Sequence, residues 1–420
     1  MKRLQNRLSV LGIAVATALL AALAAAPAEA KSNNKGMSTI PLKVVNKSGQ
    51  SGKLYVLVIG QSGSDWYYVK DKSGNVTKFA DNLGYSAYGL KFGSQQKFTL
   101  RIPELVHSRV YFSFGQKIQL NTGSTGAPSS PAGWTSTDPN YNTLFDWFEY
   151  GWQVQDPPIS TLPPNATLLN GNQTEVDMMG IPMLYTFKGV DANNSKTTVK
   201  GGFSQKGART KIFNAMKKAG LPWSHLVIDT RGGQPLREIS PYNGIDSGRF
   251  SPTQLDAYIN SVWSKYTGSK KLKANTTGPD QSFTGSVNGS GVLVFTRSTG
   301  GTISFPKPTT EEAYRGQFTA TLSDPSDGDL NTAAGELVTM LQATFMRTTI
   351  LAKGNISNCP TPGKAYYKNA PVNQYSKIIH EYAYQKKAYG FGYDDVCNQS
   401  SDGQVFQPTK VILNIPPFDK

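Results

Sequence analysis

Alternating apolar and polar positions dominate the chain from Ile40 to Phe114. Leu42-Lys43-Val44-Val45-Asn46 reads as a strand that stops at Lys47-Ser48-Gly49, and Lys53-Leu54-Tyr55-Val56-Leu57-Val58-Ile59 as a buried strand ending at Gly60. Lys97-Phe98-Thr99-Leu100-Arg101-Ile102 and Arg109-Val110-Tyr111-Phe112-Ser113-Phe114 repeat the two-residue period. Short strands separated by glycine turns predict a sandwich or barrel. Residues 121–143 and 153–171 read as loops, the second broken by Pro157-Pro158 and Pro163-Pro164, with an aromatic strand at 144–152 between them. From about residue 200 the period becomes helical. Helices are predicted from Ser204 to Lys218, from the capping box Ser251-Pro252-Thr253-Gln254 onward, over 329–352, and from Asn373 to Ala388. A hairpin is predicted across Ser298-Thr299-Gly300-Gly301, and Lys410 to Ile415 is a last strand placed to pair back into the first β region.

The first residues carry a separate signal. Lys2, Arg3 and Arg7 precede an apolar run from Leu8 to about Ala26, and Ala28-Glu29-Ala30 offers small residues at the cleavage-determining positions. This reads as a secretory signal peptide over 1–30, cut near Ala30, followed by a polar, disordered leader over 31–37. No later run approaches the roughly 18 apolar residues of a membrane span. The chain is expected to be secreted, extracellular or periplasmic, and to act as a monomer.

The chain has 420 residues and a formal net charge of +15, with 43 basic against 28 acidic side chains. The basic residues are scattered rather than striped, and no nucleic-acid-binding motif is present, so a nucleic-acid partner is not expected. Cys359 and Cys397 are the only cysteines, and in an exported chain they read as one structural disulfide. Neither has a histidine at metal-ligand spacing, and no phosphate loop or nucleophile elbow occurs, so no metal or cofactor is expected. His107, His225 and His380 are isolated and read as surface or packed residues.

Scarce carboxylates make Phe145-Asp146-Trp147-Phe148-Glu149-Tyr150-Gly151-Trp152 the segment richest in candidate chemistry. On a strand, Trp147 and Glu149 share a face, and an apolar flank raises a carboxyl pKa as a proton donor requires. Glu175-Val176-Asp177-Met178 supplies a second group of acids. Glycoside hydrolysis needs two carboxyl groups, one to protonate the leaving oxygen and one to activate water or attack the sugar. Trp134, Trp147, Tyr150 and Trp152 are candidate sugar platforms, with packing as the other reading. Asp146 is either a supporting hydrogen-bond partner or an ordinary structural acid.

Three segments together resemble the active-site region of glycoside hydrolase family 64, the bacterial β-1,3-glucanases. They are Gly133-Trp134-Thr135-Ser136-Thr137-Asp138-Pro139-Asn140, then Asp146-Trp147-Phe148-Glu149-Tyr150, then Asn172-Gln173-Thr174-Glu175-Val176-Asp177-Met178-Met179-Gly180-Ile181-Pro182. Asn46-Lys47-Ser48-Gly49, Val110 to Gly115 and Tyr389-Gly390-Phe391-Gly392-Tyr393-Asp394-Asp395-Val396 also fit, so matching blocks span about 40–415.

The resemblance implies a mainly β fold with α/β: a thaumatin-like β-barrel or sandwich domain and a mixed α/β domain flanking a wide groove. The expected boundaries are 38–200 for the β domain carrying the acids, 201–389 for the α/β domain, and 390–420 for the return to the first. It implies β-1,3-glucan (laminarin) as the partner and an inverting mechanism, with Glu149 resembling the general acid and Asp177 the general base. Asp394 and Asp395 resemble the acidic Tyr-Asp-Asp turn of thaumatin-like proteins, and are expected either to line the groove or to cap a turn. The Pro-rich stretch 157–171 lengthens the interval between these acids and, if it overhangs the groove, would alter product length. A non-catalytic thaumatin-like glucan-binding protein is the alternative.

Overall fold

The computed structural model describes residues 36–50, 52–230, 233–278, 281–352, 354–357, 359 and 366–418. The proposed signal peptide, residues 1–30, and residues 31–35 of the leader lie outside the described residues.

A 12-stranded sheet organises the first half of the molecule. Its path runs from Lys196–Gly202 through Leu184–Val190, Gly403–Ile415, Thr167–Gln173, Leu144–Val154, Val106–Phe114 and Leu54–Ser62 to Asp65–Val69 and Val76–Lys78. Thr39–Asn46 pairs in parallel with the last strand, Leu42 opposite Val411 and Val44 opposite Leu413, and carries Lys97–Pro103 on its other side. Leu90–Gly93 pairs with Leu54–Ser62, and Phe92 stacks on Phe98 with ring centroids 3.8 Å apart. The sheet thus curls into a nearly closed barrel, which leaves few unpaired edges. The mainly β fold with a smaller helical portion agrees with the expectation from the sequence.

Two hydrophobic cores share this sheet. Inside the barrel lie Leu42, Val56, Val58, Val110, Phe112, Phe148, Tyr185, Phe187 and Leu413. The alternate residues Leu57, Ile59, Tyr111, Phe145 and Trp147 face outward into a second core shared with the helical region. Burial on both faces explains why Leu54 to Ile59 is an almost unbroken apolar run rather than an alternation. The second core is completed by a five-stranded sheet, Leu272–Asn275, Ser282–Val287, Leu293–Arg297, Thr302–Phe305 and Thr321–Leu322, and by the helices around it. The predicted hairpin is the Leu293–Arg297 and Thr302–Phe305 pair. Cys359 and Cys397 form a disulfide.

Helix ends depart from the sequence pattern for identifiable reasons. The first helix starts at Ala208 rather than near Ser204, with Gly207 in the left-handed conformation at its N-cap. At Ser251 the hydroxyl accepts from the Thr253 amide, making a local turn, and the regular helix begins at Asp256. A true capping box occurs instead at Thr309, whose hydroxyl accepts from the Glu312 amide while the Glu312 carboxylate accepts from Thr309. The long helix Gly328–Met346 stops before 352 because Arg347 turns into an ion pair with Asp394 and Thr348 takes a positive φ of 52°. The helix Gln374–Tyr382 ends at the extended residue Ala383.

The Pro-rich stretch does not overhang the carboxylates. Strand Leu144–Val154 continues to Val154 and its partner resumes at Thr167, so the turn is confined to 155–166. It closes the end of the hairpin remote from Asp177, roughly 20 Å along the strand. There Leu162 and Ala166 pack on Phe406, with Ile159, Val190 and Ala192 around them.

The last strand is held by ladders on both sides, so truncating its core side chains is costly. Leu413→Ala should lower unfolding free energy by about 2–5 kcal/mol in urea denaturation monitored by fluorescence. A change below about 1 kcal/mol would contradict its place inside the barrel.

Candidate active site

The hairpin of Leu144–Val154 and Thr167–Gln173 brings the two acids near one another although they are far apart in sequence. Glu149 lies opposite Asn172 on one side and Arg109 on the other. Gly171, beside Asn172, is required by close strand contact, since a Cβ there would stand 2.3 Å from the Glu149 carbonyl oxygen. Asp177 follows just beyond the strand end, where Met178 pairs with Ile239.

Glu149 is tied through one oxygen. Arg109 Nε donates to Oε1 at 2.9 Å and Trp147 Nε1 donates to the same atom at 3.1 Å. The Arg109 guanidinium also lies 5.0 Å from the Trp147 ring centroid and donates to Ser130 Oγ at 2.9 Å. No hydrogen bond to Oε2 is formed among the described residues. Burial pushes the Glu149 carboxyl upward, and the Asp177 charge adds to this, while Arg109 and Trp147 oppose it. The net direction is upward, as a proton donor needs.

Asp177 is held from the helical side. Tyr242 donates its hydroxyl to Asp177 Oδ1, and the Asp177 carbonyl accepts from Ser240 N at 2.9 Å and Asn243 Nδ2 at 3.0 Å. The barrel therefore supplies Glu149, while the short helix Pro241–Asp246 and the residue before it fix Asp177.

Asp146 couples these elements. It is completely buried; its Oδ1 accepts from Trp147 N at 2.8 Å, and its Oδ2 from Gly180 N at 2.7 Å and Ile181 N at 2.8 Å. These bonds hold the segment just after Asp177 against the strand that carries Glu149. Burial pushes the Asp146 carboxyl up to about 7, against the three amide donors and nearby Arg237, which favour the charged form. Arg237 in turn donates to the carbonyls of Gly133, Tyr141 and Thr143 and so pins the loop that presents Trp134.

The aromatic candidates separate by strand face. Trp147 shares the Glu149 face, but its ring is buried and serves as the donor to Oε1. Tyr150 and Trp152 point into the barrel, with 3% and 4% exposure, and Tyr150 donates to the Pro103 carbonyl at 3.1 Å. The sugar-platform reading of these two is corrected by strand alternation, which leaves no open ring face. Trp134 is partly buried against the second core, on a loop next to Met178.

Asp394 is also corrected as a groove residue. At 0% exposure it accepts from Arg347 Nη2 at 2.8 Å and Gly390 N at 2.9 Å, and pairs with His380 Nε2 at 2.8 Å. Burial raises its carboxyl, but His380 and Arg347 together hold it below the usual range. Asp395 is only half-buried, and burial pushes it up to about 6. Arg109, Tyr242 and Asp402 carry no local signature, and Asn172 belongs to a segment of the family resemblance without a role of its own there; cross-strand register could have flagged Arg109 and Asn172.

The Asp146 carboxyl gives a pH signature to folding. Its folded value lies above the ordinary one near 3.8, so its contribution is complete below that and is lost as pH rises toward about 7. Denaturant midpoints should therefore fall across this window. Asp146→Asn, which leaves one buried amide unpaired, should cost about 1–3 kcal/mol and reduce that slope; an unchanged slope would contradict this assignment.

The family model for glycoside hydrolase family 64, described as Beta-1,3-glucanase, matches residues 38–415. The chain is 28% identical over 390 residues to the glucan endo-1,3-beta-glucosidases of Cellulosimicrobium cellulans and of Arthrobacter sp. (strain YCWD3), an overlap of 91% of this chain and 66% of each relative. It thus spans 66% of the length of those relatives. The crystal structure of a laminaripentaose-producing beta-1,3-glucanase in complex with laminaritetraose is similar with a TM-score of 0.76 and 28% identity, over 91% of this chain and 99% of that one. A beta-1,3-glucanase domain from Clostridium beijerinckii shares the fold, with a TM-score of 0.68 and 24% identity over 91% of this chain and 100% of that domain. The match over nearly the whole described chain carries the conclusion that it belongs to the glycoside hydrolase family 64 β-1,3-glucanases.

Proposed function

We propose that this protein is an exported, monomeric hydrolase of β-1,3-glucan that works by inversion. Family membership supports the substrate class. What supports the mechanism is the pair of carboxyls from two sides of one site: Glu149, raised by burial, and Asp177, near enough for its charge to add to that rise. The apolar run near the N-terminus supports export, and among the described residues no helix is long and apolar enough to cross a membrane.

In this mechanism Tyr242 orients Asp177 through Oδ1, leaving Oδ2 to take a proton from water. The water oxygen attacks the anomeric carbon from the face opposite the leaving group. Glu149 delivers its proton from Oε2 to the glycosidic oxygen as that bond breaks, because Oε1 is held by Arg109 and Trp147. The product carries the inverted anomeric configuration, which requires a carboxyl separation of roughly 6.5–9.5 Å. Trp134 and Asp395 are the earlier substrate-binding candidates that remain partly exposed for sugar contacts.

Incubation with laminarin or curdlan should release new reducing ends, and proton NMR should show the α-anomer first. Glu149→Gln should lower kcat roughly 10²–10⁴-fold while curdlan pull-down stays near wild type. The alkaline limb of kcat/KM should fall above the ordinary glutamate range, near 4.3. Full activity of the variant would sink the acid assignment, and a wild type that binds glucan without cutting it would favour a binding protein.

A further inference from the structure

A cross-strand row extends beyond the proposed acid. Arg109 lies opposite Glu149 and Glu149 opposite Asn172. The next pair along, Gly171 with Gly403, places Asp402 at the far flank of Asn172. Directly paired residues share a sheet face, so Asn172 stands between Glu149 and Asp402.

Asn172 Nδ2 donates to Asp402 Oδ1 at 2.6 Å, and Ser400 Oγ donates to Asp402 Oδ2 at 2.9 Å. Burial pushes the Asp402 carboxyl up to about 7, and the charges of Asp395 and Glu149 add to the rise, while the bonds from Ser400 and Asn172 oppose it. With the Asn172 Nδ2 donating to it, the amide nitrogen faces Asp402 and the amide oxygen faces away from it. Asn172 is 7% exposed, and its Oδ1 is buried with no hydrogen-bond partner among the described residues. Glu149 presents the complementary atom, since both donors to its carboxyl converge on Oε1. An ionised Oε2 and an amide oxygen would be two acceptors facing one another, whereas a protonated Oε2 completes the bond.

We infer that Asp402 is a positioning residue for the proton donor: by fixing the Asn172 amide it turns Oδ1 toward Glu149, where that oxygen accepts the hydrogen on Oε2 and keeps the acid in its donating form. This rests on the proposed reading of Glu149 as the acid. Other groups bear on Glu149 as well, and Asp402 itself titrates, since burial pushes its carboxyl up to about 7 and the Glu149 charge adds to that rise. Arg109 and Tyr111 face it from the adjacent strand, Trp147 from its own, Glu175 and Asp177 from the segment after Thr167–Gln173, and Tyr389 from the C-terminal region. Arg109 favours the ionised form, so the Asn172 contact works against it.

The test compares pH profiles of kcat/KM on soluble laminarin for wild type, Asn172→Ala, Asp402→Ala and the double variant. Each single change should move the alkaline limb down by roughly half to one pH unit, the worth of one buried hydrogen bond. The double variant should move no further than Asn172→Ala, because Asp402 acts through the amide. Additive shifts would mean that Asp402 acts directly through its charge, and unmoved limbs would mean that the amide does not touch the acid; either overturns the inference. Should Asn172→Ala fail to fold, Asn172→Val, well suited to a strand, replaces it. An inactive wild type or a fully active Glu149→Gln would sink the underlying reading instead.

Discussion

The register of a sheet buried on both faces governs this molecule. Along Leu144–Val154, Phe148, Tyr150 and Trp152 fill the barrel while Phe145 and Trp147 enter the second core. A slip of one residue would exchange the two sets and turn Glu149 into the barrel. Large side chains on both faces make that slip prohibitive, so the orientation of the carboxyl is secured by packing at positions that need not touch a sugar. Asp146 reinforces the same register from within the strand by gathering amides from Gly180 and Ile181.

That security is obtained in an interior that holds several buried acids. Glu175 and Glu238 are buried with carboxyl oxygens that have no partner among the described residues, and burial pushes both well above their ordinary values. Isolated ionised carboxylates in such surroundings would be costly, and protonation is the cheaper state. Around Glu149 the opposite strategy operates, since Arg109 and Trp147 compensate Oε1 and leave Oε2 to carry the proton. One fold thus keeps some acids silent and one poised.

Much of this was legible in the chain. The two-residue period located Thr39–Asn46, Lys97–Pro103 and Val106–Phe114, because their alternation reflects directly which face is buried. Glu149 and Asp177 stood out because carboxylates are rare and lie among apolar neighbours. Helix limits were less legible. Arg347 leaves its helix for Asp394, a partner remote in sequence, and local propensity carries no record of that. Tyr150 and Trp152 looked like sugar platforms because aromatic composition does not say which way a ring points. The roles of Arg109, Asn172 and Asp402 were hidden for a related reason: what makes them important is adjacency across strands, which only the completed sheet creates.

The last strand has a consequence for timing. Gly403–Ile415 separates Thr39–Asn46 from Leu184–Val190 and follows every other described strand in the chain. Until it emerges, those two strands lack their shared neighbour and Asn172 lacks Asp402. A growing chain can therefore assemble neither the closed sheet nor the full cross-strand row before this strand is made, and the chain's own connectivity sets the order in which the sheet can close.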